Sequence, residues 1–130
     1  MANAPAAAEA LRAFSHFAGG GTTLVAHNGG RFDVPFIRES CLRHRLPVRE
    51  TAFIDSCRLS RQLWGGRGGH GLDAVMGRLG LSTAGVRRHD ARGDVDLLAQ
   101  AVRRMWERLE RGADGFPVER RSAVIPSLLD

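Results

Sequence analysis

Apolar residues recur at helical spacing along several stretches of the chain and form short runs in two others. A recurrence every three or four positions predicts helices over residues 5–17, 33–44, 56–64, 72–79 and 90–109. Short runs bounded by turn-forming residues predict strands over 22–26 and 52–55, and the first strand is expected to be buried. Helices between strands imply right-handed crossovers, so the pattern predicts an α/β fold with a partly parallel sheet.

The predicted helices have apolar faces that should cover this sheet. The face of the first helix consists of Leu11, Phe14 and Phe17, and that of the last is a stripe of Val95, Leu98, Val102, Met105 and Trp106. In the helix that begins at Asp33, the aspartate falls on the same face as Phe36, Ile37 and Cys41. The side chain of Asp33 is therefore expected to point inward.

The end of the chain has a weaker pattern than the rest. Residues 115–130 include a proline at two positions and no clear periodicity, which predicts one domain over 1–112 and a C-terminal tail over 113–130. Two predicted strands are few for a covered sheet, which usually has about four to six. The shortage indicates that the sheet is incomplete in this sequence.

Length and composition predict one globular domain. The chain has 130 residues, of which 43% are hydrophobic, and no apolar run approaches the ~20 residues of a membrane span. The opening Met1–Ala10 lacks the basic start and apolar block of a secretory signal. We expect an intracellular protein, cytoplasmic or nuclear, without a membrane partner, in which Cys41 and Cys57 are reduced core thiols.

The charge of the chain favours an anionic partner. Its formal net charge is +5 and its pI about 11.1, and the cationic side chains are all arginine. Arginine binds phosphate through two parallel hydrogen bonds, which suits a nucleic-acid backbone. The absence of lysine is explained equally well by a GC-rich coding sequence.

Two acidic positions are candidates for metal-dependent phosphodiester hydrolysis. Two Mg²⁺-type ions can activate a water and stabilise the leaving group, and they bind carboxylates from separate elements. Asp33 lies where a strand and a turn lead into a helix, and Asp94 lies in the first turn of the last helix, close to His89. Each has a simpler explanation: Asp33 as an N-cap, the acids near 90–94 as partners of the helix dipole, and His89 as a surface residue.

Two segments of the sequence resemble the motifs of a known protein family. Residues 24–37, LVAHNGGRFDVPFI, closely resemble the second motif of the DEDDh 3′-to-5′ exonucleases, and the Ala-His-Asn-Gly form looks most like the three-prime repair exonuclease branch. Residues 89–95, HDARGDV, are similar to the third motif of this superfamily. Phe53–Ser56 and Gly71–Val75 match landmarks between the two motifs.

This resemblance implies a fold, an activity and a set of site residues. It implies a ribonuclease H-like α/β exonuclease fold whose leading strands are missing here, and a nuclease dependent on Mg²⁺ or Mn²⁺ that acts on single-stranded or frayed 3′ ends of DNA or RNA, as in DNA repair. It makes Asp33 and Asp94 metal ligands, His89 the general base, and His27, Asn28 and Arg31 substrate-binding residues. Relatives of the repair branch are commonly dimeric, so the resemblance leaves a homodimer open.

The same resemblance implies structural roles for three other aspartates. Asp90 takes a variable position of the third motif, where a carboxylate serves as a helix cap. Asp55 and Asp73 correspond to a strand end and a helix start. A zinc site built from Cys41, His44, Cys57 and His70 is disfavoured, because paired short spacings are absent.

The first motif of the superfamily, Asp-x-Glu on a leading strand, does not occur in these 130 residues. Either Met1 is a misplaced or truncated start, or the chain is a short product that keeps the second half of the fold. In both cases the 130 residues alone are expected to be inactive or nearly so.

Two other functions remain open on the sequence. One is a non-catalytic nucleic-acid-binding module that uses Arg31, Arg38, Arg43, Arg87 and Arg88 on phosphates. The other is a helical interaction domain that uses the stripe from Val95 to Trp106, although that stripe is needed to cover the sheet.

Overall fold

The computed structural model describes residues 6–66, 68–82, 90–111 and 119–127. The elements in these residues are α1 (Ala7–Ala18), β1 (Thr23–Ala26), α2 (Asp33–Arg43), β2 (Val48–Asp55), α3 (Ser56–Trp64), α4 (Leu72–Leu79), α5 (Ala91–Arg111) and β3 (Arg121–Pro126). Helices and strands alternate from α1 to α3, and the helices and the sheet together confirm the predicted α/β class. The predicted bounds of α3 and α4 also agree with the structure.

The chain divides into two compact units. Unit 1 consists of Met1–Ile54 with Arg120–Asp130, and unit 2 of Asp55–Glu119. Unit 1 contains α1, β1, α2, β3 and nearly all of β2, whereas unit 2 contains α3, α4 and α5. Each unit has its own buried residues.

The sheet of unit 1 has the order β1, β2, β3 in the described residues. β2 and β3 are antiparallel, with a register that runs from Val48 opposite Pro126 to Phe53 opposite Arg121. Here the structure differs from the sequence prediction, because it places a strand where a tail was expected. β3 has only six residues, and its pairing with β2 is a long-range contact that no local pattern reveals. The division of the chain at residue 112 stays a prediction.

The core of unit 1 lies against the sheet. Phe53 and Ile54 of β2, Ala123 and Ile125 of β3, Ser15 and Ala18 of α1, and Cys41 of α2 are buried. α1 and α2 both contact β3. The predicted face of α1 is wrong at Phe17, which is 89% exposed, since the buried line follows Ser15 and Ala18 instead. β1 is also not fully buried, because its residues alternate between exposed and half-buried.

Unit 2 is a cluster of three helices in which α5 contacts α3 and α4. Its buried side chains include Leu59, Val75, Met76 and Leu79, and from α5 Leu97, Ala101, Met105 and Leu109. The predicted stripe of α5 is therefore rotated: Val95 is 62% exposed, and Met105 is the member that is fully buried. The spacing of four through Ala101 decides the face, because a small residue there allows close helix packing.

No helix in the described residues is both long enough and apolar enough to cross a membrane.

Candidate functional site

The turn between β1 and α2 is held tightly against the sheet of unit 1. Gly29 is buried, and a Cβ atom at this position would lie 2.5 Å from the Cβ of Ala26 and 3.0 Å from Cζ of Phe53. The space is therefore too small for any side chain. The Gly29 carbonyl accepts a hydrogen bond of 2.8 Å from the backbone N–H of Val34, which ties the turn to the first turn of α2.

The predicted substrate-binding residues lie on this turn. His27 and Asn28 are half-buried and Arg31 is exposed. Asn28 has a φ of 56°, a left-handed conformation that asparagine tolerates better than most residues. Its carbonyl accepts hydrogen bonds from the N–H groups of Arg31 and Phe32 at 3.2 and 3.3 Å. The fixed backbone holds all three side chains next to the start of α2.

Arg31 is oriented by an aromatic neighbour. The Cζ atom of its guanidinium lies 5.4 Å from the ring centroid of Phe32, within the range of a cation–π interaction. Phe32 is itself 59% exposed. The guanidinium is thus partly ordered while it stays accessible to solvent and to anions.

Asp33 is the first residue of α2 and is exposed, not inward-pointing as its helical phase suggested. The residue at the N-cap is Phe32, so the explanation of Asp33 as an N-cap is also wrong. In the first helical turn its carboxylate complements the positive end of the helix dipole. Within α2 the buried residue is Cys41, near the other end of the helix, and Phe36 on the predicted face is 70% exposed. The face is therefore covered only towards its end, which leaves Asp33 exposed.

The start of α5 has an ordinary cap and a second acidic residue. The Oδ1 atom of Asp90 accepts a hydrogen bond of 3.0 Å from the N–H of Arg92, which confirms the structural role predicted for Asp90. Asp94 lies in the first turn of α5 and is half-buried. His89 lies outside the described residues, so its role as general base stays a prediction.

The structure places the two predicted metal ligands in different units. Asp33 belongs to unit 1 and Asp94 to unit 2, and each occupies the first turn of a helix. Within residues 6–66, 68–82, 90–111 and 119–127, no group of three or more His, Cys, Asp or Glu could hold a metal ion. Two carboxylates are few for two divalent cations, so the described residues do not by themselves form a two-metal site.

Both cysteines are buried free thiols. Burial raises the pKa of the Cys41 thiol. It also raises the pKa of Cys57, where the nearby charge of Arg61 lowers it and that of Asp55 raises it further. Thiols with a raised pKa are poor nucleophiles and poor metal ligands near neutral pH, which fits the predicted core role.

Asp55 and His70, to which the resemblance assigns no catalytic role, stabilise unit 2 through hydrogen bonds. The Oδ1 atom of Asp55 accepts a hydrogen bond of 2.9 Å from the N–H of Cys57 and so caps α3, which agrees with the structural role predicted for Asp55. His70 is 3% exposed, its Nδ1 lies 2.6 Å from Oγ of Ser60 and its Nε2 lies 2.9 Å from the carbonyl oxygen of Gly66. Because a carbonyl only accepts, Nε2 carries a hydrogen. No local sequence pattern predicts this pairing of His70 with Ser60 and Gly66.

Comparison with known proteins identifies the family. The model of the RNase T family, described as Exonuclease, matches residues 1–102. A protein of Rhodobacter capsulatus named DNA polymerase III subunit epsilon-like protein is 38% identical over 120 residues, which cover 89% of this chain. The chain spans 16% of the length of that relative. No solved structure matches the chain at a significant level.

Proposed function

The chain belongs to the RNase T exonuclease family, and from this premise we propose that it is part of a divalent-metal-dependent 3′-to-5′ exonuclease. Its substrate is a single-stranded or frayed 3′ end, from which it releases nucleoside monophosphates. The observation that carries the proposal is the turn from His27 to Gly30 that leads directly into Asp33, inside the matched residues. The name of the relative, which refers to a DNA polymerase subunit, favours DNA over RNA.

In this proposal each predicted site residue has one role. Asp33 and Asp94 are ligands of Mg²⁺ or Mn²⁺, together with acidic residues from outside these 130 positions. Hard cations prefer such carboxylate oxygens. His89 takes the proton of the attacking water, because imidazole titrates near neutral pH. His27, Asn28 and Arg31 contact the terminal nucleotide, and the exposed guanidinium of Arg31 supports a phosphate contact.

The 130 residues alone are proposed to lack turnover. They contain no Asp-x-Glu segment, and loss of carboxylates weakens a two-metal site severely. The test compares the given chain with a longer version that starts at an upstream Asp-x-Glu in the same reading frame, on a single strand labelled at its 5′ end. The longer version is expected to shorten the strand from its 3′ end with Mg²⁺ or Mn²⁺. Absence of cleavage by a folded longer version would reject the proposal.

His89→Ala and Asp94→Asn in the longer version sharpen this test. Each is expected to reduce the cleavage rate by about 100-fold or more, since a general base alone contributes about that factor. Asp90→Asn is the matched control, because Asp90 caps α5 through the N–H of Arg92. Equal losses from Asp90→Asn and Asp94→Asn would show that the helix start matters for folding only.

A second candidate function is a basic, non-catalytic module that binds nucleic acid. The net charge of +5 supports it, as do the exposed side chains of Arg31, Arg38 and Arg43 in unit 1; Arg87 and Arg88 lie outside the described residues. Binding to a single strand should then weaken steeply with salt and be unchanged by Asp33→Asn and Asp94→Asn. A role in DNA repair, a homodimer and a cytoplasmic or nuclear location remain proposals.

A further inference from the structure

Two arginines surround one tryptophan on the surface of unit 2. The Cζ atom of Arg78 lies 5.4 Å from the ring centroid of Trp64, and that of Arg108 lies 5.9 Å from it. Trp64 is the last residue of α3, Arg78 lies in α4 and Arg108 in α5. The tertiary structure therefore gathers three side chains that are far apart in the sequence.

Among the described residues, no carboxylate forms an ion pair with either arginine of this Arg78–Trp64–Arg108 cluster. Both arginines are exposed and Trp64 is half-buried. In the same unit, by contrast, Arg58 pairs with Glu119 at 2.9 Å. The negative face of the indole offsets part of the charge of each guanidinium. An anion would offset the rest.

Among the described residues, the first glycines of the loop that follows Trp64 have open space beside the backbone. Gly65, Gly66 and Gly69 have φ values of 69°, 84° and 76°, conformations that favour glycine. A Cβ atom at Gly65, Gly66 or Gly68 would meet nothing within 4 Å. A polymer can therefore approach the backbone here closely.

A role in holding the loop explains the position of Arg78 but not that of Arg108. The guanidinium of Arg78 donates a hydrogen bond to the carbonyl of Gly69 through Nη1, so Arg78 helps to hold the loop beside α4. A guanidinium has five N–H donors, which leaves most of those on Arg78 available. Among the described residues, Arg108 donates no hydrogen bond to the loop, so fastening of the loop does not account for its position near the ring.

We propose that Trp64 holds Arg78 and Arg108 as a phosphate-binding pair for the backbone of a single-stranded nucleic acid. Arginine is well suited to phosphate because its planar fork makes two hydrogen bonds at once. Guanidinium planes ordered on an aromatic ring can also stack with the bases of an unpaired strand. The choice of nucleic acid rests on the proposed exonuclease function, whereas the gathering of the two cations does not.

The pair is tested by binding of fluorescent oligothymidylate to the 130-residue chain in the presence of EDTA, which prevents metal-dependent cleavage. The Arg78→Gln/Arg108→Gln variant should bind roughly tenfold more weakly at low salt. The slope of log affinity against log salt should become shallower by about 1.4, which is about 0.7 for each lost phosphate contact.

The matched control is Arg12→Gln/Arg103→Gln. It removes the same charge from two exposed arginines, one in α1 and one in α5 five positions from Arg108, which places Arg103 on a different side of that helix. A control that weakens binding as much as the test variant would show that only net charge matters, and would overturn the proposal.

Trp64 is a positioning residue in this proposal. Trp64→Leu should weaken binding several-fold but leave the salt slope unchanged, because both cations remain. Trp64→Phe should restore most of the affinity, since a phenyl ring also attracts a guanidinium. Equal loss in Trp64→Leu and Trp64→Phe would overturn the role of the ring.

Two glycine substitutions distinguish an effect on Arg78 from a general effect on folding of the loop. A Cβ atom at Gly69 would lie 2.9 Å from Nη2 of Arg78, whereas a Cβ atom at Gly66 would meet nothing within 4 Å. Both positions have positive φ, so both alanine variants strain the loop, yet only Gly69→Ala displaces Arg78. Affinity should fall more in Gly69→Ala than in Gly66→Ala, and equal affinities would contradict the assignment of Arg78.

Two further measurements, a competition experiment and a separate cleavage assay, identify the ligand. Inorganic phosphate should compete only weakly; strong competition would show a site for free phosphate and overturn the strand assignment. Cleavage by the longer version of the chain is measured separately. If the strand is not cleaved but its binding still depends on Arg78 and Arg108, the nuclease proposal is rejected and the phosphate-binding pair stands. If the strand is cleaved but its binding does not depend on these arginines, only the phosphate-binding pair is rejected.

Discussion

The turn from His27 to Gly30 and the loop from Gly65 to Gly71 are both rich in glycine, yet their glycines have opposite surroundings. Gly29 is buried against Ala26 and Phe53, where no Cβ atom fits. Gly65 and Gly66 have positive φ and open space around them. Glycine thus serves close packing in the first segment and backbone conformation in the second.

This difference matters for what each segment can do. A turn that is packed against a strand and tied to α2 holds Asp33 and its neighbours in one arrangement, which their proposed roles in metal and substrate binding would require. A Cβ atom at Gly65, Gly66 or Gly68 would meet nothing within 4 Å, so a polymer can approach the backbone at these glycines.

The largest effect is expected for Gly29→Ala. The added Cβ atom would overlap Ala26 and Phe53, and such overpacking costs about 3 kcal/mol of the free energy of unfolding. Urea denaturation followed by circular dichroism measures this loss. A stability equal to that of the original chain would show that the turn is not packed as described.

His70→Ala should cost about 2 kcal/mol, because it leaves the buried hydroxyl of Ser60 and the carbonyl of Gly66 without this partner. Ser60→Ala/His70→Ala should recover part of this stability, since the double variant leaves no buried hydroxyl behind. The same denaturation experiment measures both. A double variant that is less stable than His70→Ala would contradict the pairing.

Gly66→Ala should cost only about 1 kcal/mol, which is the strain of placing a Cβ atom at positive φ. The comparison with Gly29→Ala is the sharpest test of the contrast between the two segments. If Gly66→Ala proved the more destabilising change, the loop rather than the turn would be the packed segment.

The smallest effect is expected for the exposed pair of Arg58 and Glu119. Glu119→Gln should change the free energy of unfolding by less than about 1 kcal/mol, and by less still in high salt. A larger loss would mean that the ion pair is shielded from solvent.

The two thiols give a pH prediction for each unit. Burial raises the pKa of Cys41 in unit 1 and of Cys57 in unit 2 above the ordinary value of 9.0. The folded chain then holds these protons more tightly than the unfolded chain, so stability is lost as pH rises above about 9. Denaturation measured from neutral to alkaline pH should show this loss, and Cys41→Ala/Cys57→Ala should reduce its slope.

In unit 2, local sequence patterns predicted where the helices begin and end better than which of their faces are buried. Ser56 and Trp64 bound α3 as predicted, and Gly80 ends α4 in a left-handed conformation with a φ of 67°. These signals are local, because capping and turn residues act on the backbone beside them. The face of α5 is decided by the helices it meets, and Val95 was therefore misassigned.

The sequence by itself determined the α/β class, the family motifs around Asp33 and Asp94 and most helix boundaries, because periodicity, capping residues and motif wording are properties of neighbouring residues. Only the tertiary structure decided the pairing of β3 with β2, the exposure of Asp33 and the gathering of Arg78 and Arg108 around Trp64. These features depend on contacts between distant segments, and such contacts are selected by the packing of the whole unit rather than by any local pattern.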